Sequence, residues 1–220
     1  MAFLRSSLAL LCLLLGVLAS QPAWSLSIFG TGAQTEAADL PVFDPTDYEL
    51  GTFFQSSVAG DVIALRVYLG PVEAADPGII VGTLWNASGS VLGSATFTNV
   101  SAGWNEVALA VPVSIAADTT YVVSANTNAG TTGTGSYAAD KGPGDLGFFG
   151  GGGYANGPLT ATSGVFNTTP GAFPTTNFPT TNGGSSYFRD VQFVPEPATA
   201  LLLGLGLATV CLASERRRLP

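Results

Sequence analysis

Short runs of alternating apolar and polar residues, separated by Gly, Pro, Asn and Asp, fill the middle of the chain. Within residues 62–69 every odd-numbered residue from Ile63 to Leu69 is apolar, and Arg66 falls between them. This period of two is that of a β-strand with one buried face. Turn signals about every 8–12 residues are typical of antiparallel sandwiches. We therefore predict an all-β fold, a jelly-roll-like antiparallel β-sandwich over residues 48–194. The other predicted strands are 50–56, 79–85, 91–98, 106–111 and 120–125.

The connections between these strands carry their own signals. The polar run from Asn86 to Ser90, which contains a glycine able to take positive φ, predicts a hairpin between the strands that flank it. Residues 141–184 hold 12 glycines and five prolines, and so polar and flexible a composition buries little apolar area. We predict surface loops there, with one short strand near 158–162. No helix is predicted between residues 30 and 190. Alternation returns at residues 186–194, the predicted closing strand.

The N-terminus has the three parts of a secretory signal. Arg5 comes first, an apolar run follows from Leu8 to Ala19, and the small-residue site Ala23-Trp24-Ser25 ends the segment. We predict a signal peptide over residues 1–25, and a linker over residues 26–47. The alternative is an N-terminal membrane anchor, but the apolar run is shorter than the roughly 20 residues that a spanning helix needs.

The C-terminus has the pattern of a stop-transfer segment. An apolar stretch runs from Ala198 to Ala213, and three arginines follow it at Arg216, Arg217 and Arg218. Arginines remain on the cytoplasmic side of a membrane and would hold the helix in place. We predict a transmembrane helix at 198–213 with an exported body in front of it.

A tripeptide before this helix adds a specific resemblance. Pro195-Glu196-Pro197, the apolar stretch and the terminal arginines resemble the PEP-CTERM sorting signal of Gram-negative bacteria over residues 195–220. The resemblance implies recognition by an exosortase-type transpeptidase that removes the helix near the tripeptide. The protein would then be anchored in the inner membrane only transiently, and afterwards lie on the cell surface or outside the cell. The alternative is an ordinary tail anchor that stays in place.

Composition narrows the function of the middle segment. The chain contains no histidine, which excludes Ser-His-Asp and Cys-His nucleophile systems and histidine metal ligands. Between Leu26 and Val194, three basic and 13 acidic side chains give a formal net charge of −10. That charge argues against a nucleic-acid partner, which needs clustered Lys and Arg. Cys12 and Cys211 both lie in segments predicted to be removed, so the domain holds together without a disulfide.

Short stretches of the middle segment carry a second resemblance; they are residues 49–54, 64–68, 82–85, 95–99, 103–104, 119–123, 157–159 and 187–191. Together they resemble the family catalogued as domain of unknown function 4082. The resemblance implies an extracellular β-sandwich module of the kind attached to polysaccharide-active or adhesive proteins, without an established activity.

Aromatic residues are the candidate ligand contacts. Phe148, Phe149 and Tyr154 lie in the glycine-rich segment, where a solvent-facing contact with a sugar and packing within the domain both remain open. Trp85 and Trp104 are predicted to pack within the sandwich, because a buried Trp removes a large apolar area from water.

Acidic residues are weaker candidates. Asp44, Asp47, Asp140 and Asp145 lie in oxygen-rich loops that could hold calcium. Neither pair has the spacing of a recognised calcium loop, so we predict solvated charge and no cofactor. Asp190, in the closing strand, is predicted to pair with Arg66 or to cap loop amides.

Three functions remain open at this point. The first is an exported, non-catalytic surface or extracellular-matrix module that contacts exopolysaccharide through the loops at 135–184. The second is a ligand-free structural or spacer protein. The third is a histidine-free glycoside hydrolase, which would need two carboxylates close together. No sequence feature brings two acids together, so we do not predict an enzyme.

Overall fold

The computed structural model describes residues 24–30, 41–43, 46–128, 136–140, 148–149, 152–178 and 184–196. Most of the predicted signal peptide, the predicted transmembrane helix at 198–213, Pro197 and Arg216–Arg218 lie outside these residues. No helix within the described ranges is long and apolar enough to cross a membrane. Residues Ser25–Val194 form one compact unit.

The described elements are almost all strands. They are β1 (Leu26–Ser27), β2 (Pro41–Phe43), β3 (Glu49–Ser56), β4 (Gly60–Leu69), helix α1 (Pro71–Ala75), β5 (Ile80–Asn86), β6 (Val91–Phe97), β7 (Gly103–Ile115), β8 (Tyr121–Asn126), β9 (Ser136–Ala138), β10 (Tyr154–Asn156), β11 (Leu159–Asn167) and β12 (Arg189–Pro195). One sheet has the order β1-β12-β4-β7, a second has the order β10-β11-β3-β8-β5-β6, and β2 pairs with β9.

The two larger sheets pack around a shared hydrophobic core. Phe54 and Val123 of the six-stranded sheet belong to the same buried cluster as Val191 and Phe193 of the four-stranded sheet. Burial of each such side chain stabilises the fold by about 1.5–3 kcal/mol. The predicted antiparallel β-sandwich is therefore confirmed. Its sheets of four and six strands differ from the eight strands of a jelly roll.

The alternating pattern located the strands of the first half well. The predicted hairpin is confirmed, since β5 and β6 pair antiparallel with Ile80 opposite Phe97. Strand β4 differs from the prediction in having both faces buried. Leu65 lies in the core, and Arg66 on the other face is only 7% exposed. A bulge between Val62 and Ala64 breaks the pairing with β7 and offsets the alternation.

The interpretation of residues 26–47 as a linker does not hold for its first residues. Leu26 pairs with Phe193 in β12, and Ile28 and Phe29 are buried in the core. The carboxylate of Asp190 accepts hydrogen bonds from the backbone N–H groups of both buried residues, at 2.7 and 3.3 Å. A two-residue strand is too short to show a period, which is why the pattern did not reveal it.

The glycine-rich segment is also more ordered than predicted. Strand β11 has nine residues instead of a short piece near 158–162, and it pairs along the whole length of β3. The pairing register shifts between Ala161 and Ser163, so the buried side chains do not alternate regularly. Strand β10 and helix α1 were not predicted, because neither is long enough to show a period.

Candidate functional site: an aromatic pocket

A pocket of about 250 Å³ opens between the ends of the strands on one side of the sandwich. Five of its six lining residues are aromatic. They are Tyr48, Tyr137, Phe166, Phe178 and Tyr187, with Leu50 as the sixth. We call this feature the aromatic pocket.

The base of the pocket is formed by the ends of two paired strands. Leu50 of β3 lies directly opposite Phe166 of β11 in the antiparallel register, so both side chains point to the same face of the sheet. Tyr48, two residues before Leu50, is held where β3 begins, because its backbone N–H donates to Thr127 Oγ1 at 2.9 Å. The Thr127 N–H in turn donates to the Tyr48 carbonyl at 2.8 Å.

Segments from the rest of the chain supply the other walls. Tyr137 lies in the short strand β9, and Tyr187 precedes β12. The backbone carbonyl of Phe178 accepts hydrogen bonds from the N–H and the Oγ of Ser185, at 2.9 and 2.6 Å. These bonds tie the segment that carries Phe178 to the residue two before Tyr187.

Neighbouring rings of the pocket stand nearly perpendicular to one another. Tyr48 contacts Tyr137 at 5.8 Å between ring centroids with an interplanar angle of 74°, and contacts Phe166 at 5.8 Å and 84°. Tyr137 and Tyr187 are 6.0 Å apart at 66°. Edge-to-face contacts of this kind contribute about 0.5–1.5 kcal/mol each beyond area burial. The walls of the pocket therefore stabilise one another.

The phenol of Tyr187 stays protonated at neutral pH. Its pKa is raised to about 12, chiefly by burial; a hydrogen bond with the Ser185 side chain opposes the rise, and the neighbouring Tyr48 adds to it. A protonated phenol can both donate and accept a hydrogen bond.

A buried ion pair lies behind Tyr187. The Arg189 side chain is fully buried; its Nη1 donates to the Tyr187 carbonyl at 2.7 Å, and its Nη2 lies 3.5 Å from Glu73 Oε1. Burial raises the pKa of Glu73 to about 7, although Arg189 lowers it. Since neither Arg189 Nε nor Glu73 Oε2 has a hydrogen-bond partner among the described residues, this pair holds the Tyr187 backbone in place at a cost in desolvation.

A second buried carboxylate anchors the segment that leads to Phe178. Glu49 accepts hydrogen bonds from Ser124 Oγ at 2.5 Å and from the Gly171 N–H at 2.9 Å. Trp85 Nε1 donates to the same Ser124 Oγ at 2.7 Å. Phe173 packs against the Trp85 ring with centroids 5.7 Å apart, so the chain after β11 is fixed on the outer face of the six-stranded sheet.

The predicted contact residues Phe148, Phe149 and Tyr154 lie in a different aromatic cluster. Phe149 is only 3% exposed, so of the two alternatives left open for this residue the structure shows packing. Phe148 and Tyr154 are partly buried and contact the ring of Phe29, with centroids 6.3 and 5.6 Å away. They are drawn into the core because the N-terminal residues, interpreted as a linker, insert beside them. A role of Phe148 or Tyr154 in ligand contact stays a prediction.

The packing predictions for the tryptophans and for Asp190 are confirmed. Trp85 is 5% exposed, and Trp104 packs against the core. The guanidinium of Arg66 lies 4.6 Å above the Trp104 ring, a cation–π contact. Arg66 Nη1 also donates to Asp190 Oδ2 at 2.7 Å, so Asp190 both pairs with the arginine and caps backbone amides.

The acidic calcium candidates are not brought together in the part of the chain that the structure describes. Asp44 and Asp145 lie outside it, Asp47 is exposed, and the Asp140 backbone pairs with Ser186. No group of three or more His, Cys, Asp or Glu side chains that could hold a metal occurs among the described residues. Of the sorting motif, Pro195 ends β12 and Glu196 is exposed.

The sequence showed only part of the pocket. Tyr187 lies in the predicted closing strand and Tyr137 lies outside the predicted strands, but Tyr48, Phe166 and Phe178 carry no signal of their own. Tyr48 and Phe166 lie at ends of paired strands, where position depends on register, and Phe178 lies in a segment predicted as loop. The pairing of β3 with β11 and the hydrogen bonds between Ser185 and Phe178 bring these rings together.

The sequence was compared with known protein families. The profile of the family described as "Domain of unknown function (DUF4082)" matches residues 34–188, which is more than half of the chain. The chain belongs to this family. All six residues of the aromatic pocket lie within the matched range. The PEP-CTERM protein-sorting motif matches residues 193–218, so the predicted resemblances are both confirmed. No curated protein matches the chain.

The sorting motif gives the protein its destination. A PEP-CTERM signal marks an exported protein that an exosortase-type system recognises and sorts to the cell surface. The match begins at Phe193, so the matched range overlaps the end of β12.

Proposed function

We propose that this protein is an exported, non-catalytic surface module that binds a neutral exopolysaccharide at the aromatic pocket. The observation that carries the proposal is the convergence of five aromatic side chains on one pocket at the end of the sandwich. Aromatic faces stack on the apolar faces of sugar rings, and phenol hydroxyls hydrogen-bond to sugar hydroxyls. The destination given by the sorting motif is where such polymers occur.

A binding role is favoured over catalysis by the chemistry of the lining. None of the six lining residues carries a carboxylate, a thiol or an aliphatic hydroxyl, and glycoside hydrolysis needs two carboxylates that flank the scissile bond. The carboxylates of Glu49 and Asp190 are instead held by backbone N–H groups and side-chain partners. The three phenols at the pocket can orient a sugar.

The charge of the domain favours a neutral ligand. Its formal net charge between Leu26 and Val194 is −10, and no lining residue of the pocket is charged. Uronate, sulfate or phosphate groups would be repelled at long range, and would find no described basic side chain in the lining.

The binding half of the proposal is tested with a glycan array that includes neutral polymers from the host's own matrix. We expect the purified protein to bind neutral polymers, and Phe178→Ala to lose that binding. The exposed Ile79, outside the pocket, supplies the control variant Ile79→Ala, which should bind like the original. If no neutral or self-derived polymer is bound, the binding function is refuted and the ligand-free structural role is supported.

The sorting half has its own test. The protein is isolated from cell fractions of a host with and without its exosortase, and the mature C-terminus is read by mass spectrometry. We expect the surface form to end near Pro195-Glu196-Pro197 and to depend on the transpeptidase. A surface form that still carries Arg216-Arg217-Arg218 would instead indicate a permanent tail anchor.

A further inference from the structure

The lining of the aromatic pocket grades from buried to exposed among the described residues. Leu50 and Tyr187, at 1% and 4% exposure, form its buried end, whereas Phe178 is 56% exposed and stands at the rim. Tyr48 and Tyr137 are half-buried and form walls between the two. Leu50 and Tyr187 therefore form the part of the pocket farthest from solvent, and Phe178 forms the part nearest to it.

The walls meet at angles that suit the end of a chain. Tyr48 stands at 74° to Tyr137 and at 84° to Phe166. A sugar ring that stacks on one of these faces has a second ring across its edge. An internal unit of a polymer is bonded on two sides, and one of those bonds would meet the second wall. A terminal unit, bonded on one side, avoids that collision.

The size of the pocket agrees with one sugar unit. Its volume of about 250 Å³ is below the roughly 300–1,000 Å³ of pockets that enclose drug-sized ligands. A flat, open row of aromatic rings would be needed to hold several consecutive units. The perpendicular rings of this pocket offer no such row.

We propose that the aromatic pocket binds the terminal pyranose of a neutral polysaccharide, and so recognises chain ends instead of internal units. This inference rests on the proposed function, and it specifies the part of the polymer that is bound. The protein would then attach at the ends of matrix chains. The number of protein molecules bound would depend on the number of chains and not on their length.

The test uses one neutral polysaccharide preparation at two chain lengths. The neutral fraction of the host's own matrix polymer is divided, and one half is cut by mild acid hydrolysis. The protein bound at saturation per gram of polymer is measured by sedimentation or by titration calorimetry. Because ligand sites are few per protein and one pocket would take one chain end, a hydrolysate with about ten times more ends should bind about ten times more protein per gram.

Three controls make the outcome decisive. Methyl glycosides of the constituent sugars should compete with both preparations, because each mimics a terminal unit. Phe178→Ala should lose binding to both, and Tyr154→Ala, which alters the other aromatic cluster, should bind both like the original. An acidic fraction of the same matrix should bind weakly or not at all.

The results separate this inference from the proposed function. A capacity per gram that is unchanged by hydrolysis, together with loss of binding in Phe178→Ala, would overturn chain-end recognition and leave polysaccharide binding at the pocket intact. Absence of binding to either preparation would overturn the proposed function itself.

Discussion

At the scale of single residues, Asp190 makes several buried contacts that stabilise the fold. Its carboxylate joins the N-terminal residues, through Ile28 and Phe29, to Arg66 in β4. Burial raises the pKa of Asp190 to about 6, although Arg66 and the backbone N–H groups lower it. Three parts of the sequence that are far apart therefore depend on one buried charge.

The variant Asp190→Asn tests this dependence. It leaves Arg66 buried without that partner, and loss of one member of a buried ion pair costs about 3–5 kcal/mol. The free energy of unfolding, measured with a denaturant, should fall by that amount. The control is Glu106→Gln, because Glu106 is 53% exposed and lies 3.6 Å from the same arginine; its effect should stay below about 1 kcal/mol. Equal effects of the two variants would contradict the account.

A second prediction concerns pH. Burial raises the pKa of Glu73 from 4.5 to about 7 and that of Asp190 from 3.8 to about 6. In the interval between these values, the folded chain holds protons that the unfolded chain has released, so stability falls as the pH rises. This contribution to the free energy of unfolding is fully present below the ordinary pKa values of the two carboxylates, 3.8 and 4.5. It is lost as the pH rises past about 6 for Asp190 and about 7 for Glu73.

The melting temperature, followed by circular dichroism, should therefore decrease from about pH 5 to about pH 8. Repulsion within the acidic surface acts in the same direction, so variants are needed to separate the two causes. Glu73→Gln removes a buried titrating group and should flatten the upper part of this dependence, whereas Asp47→Asn, at an exposed position, should leave its shape unchanged. A melting temperature that rises over this range would be incompatible with the buried carboxylates.

At the scale of elements, β11 is the strand on which the pocket depends most. It places Phe166 opposite Leu50, and its backbone at Gly164 passes very close to Ser185. A Cβ atom at Gly164 would overlap the backbone carbonyl of Ser185, which cannot move away as a flexible side chain could. Only glycine allows this approach.

The variant Gly164→Ala should accordingly separate β11 from the chain that leads to Tyr187. We expect a loss of about 1–3 kcal/mol or more in the free energy of unfolding, and weaker polysaccharide binding. Gly152→Ala is the matched control, because a Cβ there meets nothing within 4 Å; it should be neutral or slightly stabilising. If Gly164→Ala were as stable as this control, the close approach of the two segments would be wrong.

The same element shows where sequence reasoning succeeds and where it fails. Strands β3, β4, β5 and β8 were located by the alternation of apolar and polar residue types, although most of their side chains are buried on both faces. Strand β11 was underestimated, since a bulge near Ser163 breaks the period and its glycine reports close packing where flexibility was inferred. Strand β1 has two residues, and its position is set by distant partners at Phe193 and Asp190.

The aromatic pocket could be predicted only in part from a single sequence. Aromatic residues in the loops were identified as candidate contacts, but the choice of Phe148, Phe149 and Tyr154 ignored a competing demand from the core. Phe29, assigned to a linker, attracts those rings instead. The rings that do line the pocket are assembled by strand register and by the Ser185–Phe178 hydrogen bonds, neither of which a local pattern encodes.

At the scale of the whole molecule, the chain has two parts with different roles. The sorting motif at residues 193–218 addresses the protein to the surface. The sandwich in front of it has no cysteine and carries a net charge of −10 between Leu26 and Val194. Without disulfides, the sandwich is held together by its hydrophobic core and by the contacts of two buried arginines with their carboxylate partners.

Occupation of the aromatic pocket by a neutral polysaccharide is tested most directly by carbene footprinting with mass spectrometry, because the label reports the exposure of each side chain in the full protein with and without polymer. We expect added polymer to protect Phe178, Tyr137 and Tyr48, and to leave Tyr154 and Ile79 labelled as before. Protection at Tyr154 and Phe148 with none at Phe178 would contradict occupation of the pocket and return the site to the cluster around Phe29.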